Sequence, residues 1–142
     1  MTVKTAGSDA DIARCMDVMR ELRPHLTDAA DFVSRVRRQE KEGYALAYIE
    51  ADGRPVACMG YRGVEMLHRG KSYYVDDLVT ASSARSGGHG AELLDWLEAK
   101  ARAEGRLLIV LDSGTQRIDA HRFYHRQGYT ISAFNFKKTL AP

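Results

Sequence analysis

At 142 residues, with 44% hydrophobic and 28% charged side chains, the chain matches one ordinary globular domain, which excludes the disordered and fibrous classes. Its 21 Lys and Arg against 19 Asp and Glu leave a formal charge of +2, too small to make nucleic acid or an anionic membrane the default partner. The one basic run, RVRRQEK (35–41), is interrupted by Glu40 and followed by Glu42, as on a solvated helix face.

Residues 2–6 read as a short strand. Ser8 then caps a helix whose first turn carries Asp9 and Asp11, where negative charge suits the helix dipole. Ile12, Cys15, Met16, Met19 and Leu22 recur at helical spacing until Pro24 ends the run. Thr27 is the candidate cap of a second helix, 28–42, closed by Gly43. Strands 44–50 and 54–61 follow, joined at Asp52-Gly53, a two-residue hairpin signal because both turn positions favour positive φ. Strand 72–80 leads through a glycine-rich join into helix 88–104, whose Ala91, Leu94, Leu97 and Ala101 form one apolar stripe. RLLIVLD (106–112) is a near-continuous apolar run, the pattern of a central strand covered on both faces. A short helix, 117–127, stops at Gly128, and YTISAFNFKK (129–138) alternates as a last strand does. The order β-α-α-β-β-β-α-β-α-β predicts a single-domain α/β (α+β) fold, with a mixed sheet of about six strands and helices on both faces. Strand 72–80, helix 88–104 and strand 106–112 make a parallel βαβ unit.

No apolar run approaches the roughly 18 residues of a membrane span, and the start lacks the apolar core of a signal peptide. Cys15 and Cys58 lack CxxC spacing and metal-ligand neighbours, so they read as small core or boundary thiols, and no metal is expected. The expected setting is the cytoplasm.

The join RSGGHGA (85–91) carries the strongest chemical signal. The first amides of a helix have no intrahelical partner, and the dipole places partial positive charge there. Gly87, Gly88 and Gly90 remove Cβ atoms where a bulky anion must approach, and Arg85 adds a guanidinium suited to phosphate oxygens. A flexible loop with an incidental arginine is the plain alternative, but a strand feeding a parallel βαβ unit points its carboxyl end at the ligand crevice of the sheet. A Walker A loop is excluded, since no Gly-Lys-Ser/Thr ends the stretch. A dinucleotide fingerprint fits poorly: Gly88 and Gly90 match and Asp112 stands at a suitable distance, but Leu93 holds the third glycine position and too little chain follows.

The spacing Arg85-x-x-Gly88-x-Gly90 resembles the acetyl-CoA pyrophosphate loop of the GNAT superfamily of N-acetyltransferases, and AHRFYHRQGY (120–129) resembles that superfamily's Ala-x-x-Phe-Tyr-x-x-x-Gly-Phe/Tyr segment. The overlap runs from about residue 70 to 140, and RIDAHRFYHRQGY is most similar to aminoalkylphosphonate and related small-amine N-acetyltransferases. The resemblance implies acetyl-CoA as cosubstrate. Its pantetheine would lie in a splay between strands 72–80 and 106–112 against backbone groups of Leu78, Val79 and Thr80, with Arg85, Ser86, Gly87, Gly88, His89, Gly90 and Ala91 on the pyrophosphate and Phe123 in the same binding segment. His89 would contribute its backbone N–H, with its ring near solvent. Where the family pattern often has Asn, this chain has Arg117, so the usual amide contact to the pantetheine arm is replaced by a guanidinium that suits a phosphate, an acidic acceptor or its own helix end.

Acetyl transfer to an amine needs a neutral amine and a protonated leaving thiolate, and a primary amine arrives charged because its pKa is about 10.4. Similar enzymes place an acid in the segment of Asp76 and Asp77. Strand alternation predicts that only one of them faces the cleft, and Asp76 is preferred as proton acceptor over Asp77, against an ion-pair role for either. Tyr124, at the motif tyrosine, is implied as the general acid, while His121 and His125 read as surface or ion-paired histidines and Cys58 as structural. The acceptor is expected to be a small amine, and similar enzymes are commonly homodimers. Arg20, Arg23, His25, Arg62, His68 and Arg69 would suit a phosphonate or carboxylate on it, whereas Asp76 and Asp77 would suit a polyamine or aminoglycoside. A protein lysine or N-terminal acetyltransferase and a silent acyl-CoA sensor share these motifs.

Overall fold

The computed structural model describes residues 2–142, which divide into two compact units, one running to Leu111 and one spanning Asp112–Pro142. The first unit contains β1 (Val3–Thr5), α1 (Asp9–Arg14), α2 (Met16–Leu22), α3 (Ala29–Glu40), β2 (Tyr44–Ala51), β3 (Arg54–Met66), β4 (Gly70–Thr80), a 3₁₀ turn (Ser82–Ala84), α4 (His89–Ala103) and β5 (Leu108–Leu111). The second contains α5 (Ile118–Arg126). The sheet runs β1-β2-β3-β4-β5, antiparallel up to β4 and parallel between β4 and β5.

Local signals act largely as the sequence predicts. Ser8 accepts the Asp11 N–H at 3.1 Å and caps α1. The run expected as one helix breaks at Cys15, whose N–H turns back to the Ile12 carbonyl at 3.0 Å and separates α1 from α2. Asp28, and not Thr27, caps α3 by accepting the Ala30 N–H at 3.1 Å. Asp52 (φ 52°) and Gly53 (φ 75°) form the β2–β3 turn, which needs left-handed backbone at both positions.

Alternation along the strands gives the sheet two apolar faces. Leu46, Tyr48 and Cys58 join Ile12, Met19, Phe32 and Val36 of the first three helices in one core cluster. On the opposite face Tyr61 packs edge-on against Trp96 of α4, whose Leu93, Leu94 and Leu97 are buried. No helix among the described residues is long and apolar enough to cross a membrane.

The C-terminal expectation is not met. Residues 129–138 form no strand, and the sheet has five strands where about six were expected. Alternating apolar residues prepare two faces, but a strand exists only when its backbone groups find a ladder, and this segment has none. RLLIVLD likewise contributes the last strand of the sheet instead of a central one, and none of Leu108–Leu111 is buried.

Candidate active site

The site is organised by a β-bulge. The β3–β4 register passes from Gly60↔Asp77 directly to Tyr61↔Val75, so Asp76 has no partner on β3. The extra residue resets the alternation of side chains. Asp76 and Asp77 therefore both line one cavity of about 340 Å³, together with Met19, Arg23, Phe32 and Tyr44. The expectation that only one carboxylate faces the cleft is overturned, because strict alternation holds only in a regular ladder.

Each carboxylate is held by an arginine. Arg62 donates through Nε and Nη2 to Asp76 at 3.1 and 2.6 Å, a fork-to-carboxylate arrangement, and its Nη2 also reaches Gln39 at 2.9 Å. Arg23 donates through Nε to Asp77 at 2.9 Å and through Nη2 to the backbone carbonyl of Asp76 at 2.9 Å. The Tyr44 hydroxyl completes the shell of Asp77 at 2.9 Å. Burial, reinforced by the Asp77 charge, pushes the Tyr44 phenol well above its usual pKa, so it remains a donor. The bond to Asp76 raises the already high pKa of Arg62. His25 and Arg35 line the same cavity, and Arg35 is tied through Nε to Asp31 one helical turn back at 2.8 Å.

Arg23, His25, Arg62, Asp76 and Asp77 were singled out in the sequence, but Tyr44, Gly60, Arg35 and Gln39 were not. Gly60 did leave a trace, since a glycine inside a strand often marks a bulge or a close approach. A Cβ on Gly60 would stand 2.6 Å from Tyr44 Cε2, with the hydroxyl and Cζ closer still. Gly60 thus leaves the space in which Tyr44 reaches Asp77.

Pairing between β4 and β5 runs from Ser72↔Leu108 to Val75↔Leu111 and stops there, while β4 continues through Leu78 and Val79 to Thr80. Beyond the chain's 3₁₀ turn, Ser86 (φ 72°) and Gly88 (φ 78°) bend the backbone into α4. No side chain caps this helix, and Glu92 N–H to Gly88 O, at 3.0 Å, closes its first turn. The amides of His89, Gly90 and Ala91 therefore face out of the helix start. Arg85 is exposed beside them, with Glu21 3.9 Å away. His89, whose ring was expected near solvent, is half-buried: the ring folds over Gly87, where a Cβ would stand 2.9 Å from Nε2, and its Nδ1 is buried.

In the second unit, Arg117 occupies the position before α5 and makes no side-chain cap. The Tyr124 ring lies 5.3 Å from Phe123 and 5.9 Å from Tyr129, and burial raises its phenol pKa against the lowering charge of Arg117. His121 Nε2 donates to the Gly114 carbonyl at 2.7 Å and His125 Nδ1 to the Tyr129 carbonyl at 3.2 Å, so both rings tie down adjacent backbone.

The profile of the Acetyltransferase (GNAT) family matches residues 12–129. The chain belongs to the GNAT family. An uncharacterized N-acetyltransferase of Bacillus subtilis (strain 168), YhdJ, is 35% identical over 140 residues, covering 97% of this chain and 98% of that protein. The aminoalkylphosphonate N-acetyltransferase of Salmonella typhimurium is 42% identical over 66 residues, 46% of this chain and 43% of its own length. A solved structure of a transcriptional regulator from Bacillus halodurans C-125 shares the fold with a TM-score of 0.85 at 21% identity, over 98% of this chain and 99% of that one.

GNAT enzymes use acetyl-CoA as their cosubstrate, and two features of this structure fit it. The uncapped start of α4 offers amides to a diphosphate, and β4 beyond Val75 has backbone groups that β5 does not engage. Among the described residues no group of three or more His, Cys, Asp or Glu is placed to hold a metal.

Proposed function

We propose that this GNAT protein transfers the acetyl group of acetyl-CoA to a primary amine of a small molecule by direct attack in a ternary complex. The observation that carries the reading is the bulge at Asp76, which sets two carboxylates on the wall of one cavity where β4 loses its β5 partner. We take residues 1–142 as one N-acetyltransferase domain, because the family profile runs across the junction at Leu111 and Asp112. The assigned setting is the cytoplasm.

The backbone of Leu78, Val79 and Thr80 is assigned to the pantetheine amides, and residues 85–91 to the diphosphate, with Arg117 and Phe123 as further contacts. Bound there, the cosubstrate supplies an activated acyl carbon. Asp76 accepts the proton of the incoming ammonium, directly or through water, with Asp77 second in line. Both keep vacant acceptor positions, since a carboxylate offers about four lone-pair sites and their arginine and tyrosine partners use only part of them. Tyr124 protonates the leaving thiolate. Its raised pKa keeps it protonated across the neutral range. No covalent nucleophile is needed, because fixing amine and thioester together removes much of the entropic barrier. Cys58 stays structural. The name of the Salmonella relative points to amines that carry an acid group, and Arg35 and His25 on the cavity wall suit such an acceptor.

The test is thiol release from acetyl-CoA with a panel of primary amines, using wild type, Asp76→Asn, Asp77→Asn and Tyr124→Phe. Small amines are expected to turn over, and Tyr124→Phe to lower kcat by about 10²–10⁴. Because burial raises the phenol, the loss of rate from its ionisation should set in at a higher pH than an ordinary tyrosine would give. An unchanged rate in Tyr124→Phe removes the acid assignment. Turnover only on lysine peptides, or CoA binding with no turnover on any amine, replaces the reading with protein acetylation or acyl-CoA sensing.

A further inference from the structure

Both carboxylates on the cavity wall already have a cation. Asp76 faces the fork of Arg62 and Asp77 the Nε of Arg23, so the two acids bring no unbalanced negative charge to the cavity. A ligand that is only an ammonium, or a polyamine, would add positive charge that no group on the wall offsets, and the wall also carries His25 and Arg35. The charges balance if the ligand exchanges partners with one of the two pairs.

The pairs are not equally able to open. Arg62 bonds both oxygens of Asp76, reaches Gln39 at 2.9 Å, lies 5.5 Å from the centroid of the Tyr44 ring, and is 20% exposed. Arg23 stands at the end of α2, is 43% exposed, and reaches one oxygen of Asp77 through one nitrogen. Its second contact is to a neutral carbonyl, that of Asp76. Asp77 is only 15% exposed and keeps the Tyr44 hydroxyl on its other oxygen, so it stays in place if Arg23 turns away.

The geometry points to Arg23 as an exchangeable counter-ion that selects amines carrying an acid group: the acceptor's ammonium takes its place on Asp77, and the released guanidinium pairs with the acceptor's acid. Asp77 trades one cation for another, the guanidinium trades one anion for another, and no net charge enters the cavity. Met19, Leu26, Phe32 and Val36, all buried, wall the same cavity and suit a short alkyl spacer between the two ends. The inference deepens the proposed function and rests on its assignment of Asp76 and Asp77 to the acceptor's end of the site.

The test compares propylamine with β-alanine and aminoethylphosphonate, which carry the same amine on a two-carbon spacer and end in an acid. Calorimetry with CoA present should find at least one acid-bearing amine binding wild type about tenfold or more tightly than propylamine. Arg23→Gln should reverse the order, since the acid loses its partner while Asp77 is left open to any ammonium, and propylamine should restore the variant's lowered Tm. Arg23→Lys, which keeps a cation, should hold the wild-type order. In wild type the Arg23 Nε–H resonance, assigned by its absence from Arg23→Lys, should shift as the preferred amine saturates the protein. A resonance that stays put, or an equal loss for all three amines in Arg23→Gln, makes Arg23 a fixed brace of the bulge and overturns the inference. So does a wild type that binds propylamine as well as the acids, or binds none of the three. Thiol release keeps the two readings apart: turnover whose acceptor preference ignores Arg23→Gln removes only the inference, whereas no turnover on any amine removes the enzyme reading.

Discussion

Replacing Gly60 by alanine should damage both the fold and the candidate site, for one steric reason. The added methyl would meet the Tyr44 ring, 2.6 Å from Cε2 and closer to Cζ and the hydroxyl. Tyr44 has little freedom to yield: its side chain is buried, its hydroxyl bonds Asp77 at 2.9 Å, and the Arg62 guanidinium stands 5.5 Å from the ring centroid. Overpacking a core by one methyl costs about 1–3 kcal/mol, and a hydrogen bond to a charged group is worth about 1.5–3 kcal/mol. Since the ring can relieve part of the clash by giving up part of the bond, the two do not add fully, and a loss of about 2–4 kcal/mol is expected. That corresponds to a fall in Tm of roughly 6–15 °C for a chain of this size. Urea unfolding of Gly60→Ala, Tyr44→Leu and the double variant measures it. In the Tyr44→Leu background the methyl has much more room, so its cost should drop below about 1 kcal/mol. A Gly60→Ala protein within about 0.5 kcal/mol of wild type, or an equal cost in both backgrounds, would refute the reasoning.

Three further outcomes are expected. Charge reversal at Arg85 combined with Gly88→Val should weaken CoA binding by on the order of tenfold or more in a calorimetric titration, since it removes a cation and places a β-branched residue at φ 78°; an unaltered affinity removes the diphosphate assignment. Burial pushes the Cys15 thiol up to about 12 and raises Cys58 as well, so neither should react with a thiol reagent at pH 8 until denaturant is added. The Glu104 carboxyl is held down to about 2, first by the Tyr73 hydroxyl and then by Lys100 and Arg106. Its folded value lies below its ordinary 4.5, so its stabilisation is full above that value and disappears as pH falls toward 2. The gap in urea midpoint between wild type and Glu104→Gln should therefore narrow over that window, and a gap independent of pH would contradict it.

What the sequence states by itself is local. Ser8 before Asp9 and Asp11, Asp52-Gly53 between two strands, and Gly88 opening α4 each set a cap, a turn or a helix start, because those effects depend on one or two residues and their own backbone angles. The uncapped start of α4 was readable for the same reason: open amides belong to any helix start, and the glycines before it mark the bend in the backbone. The tertiary structure decided what depends on neighbours. Asp76 and Asp77 share a cavity only because β4 carries one extra residue against β3, a register that neither strand encodes alone, and Arg62, Arg23 and Tyr44 reach them from distant segments. The place of β5 as the last strand of the sheet, and the absence of a strand over 129–138, were equally invisible, since apolar patterning prescribes which faces seek cover and a ladder requires a partner that patterning cannot name.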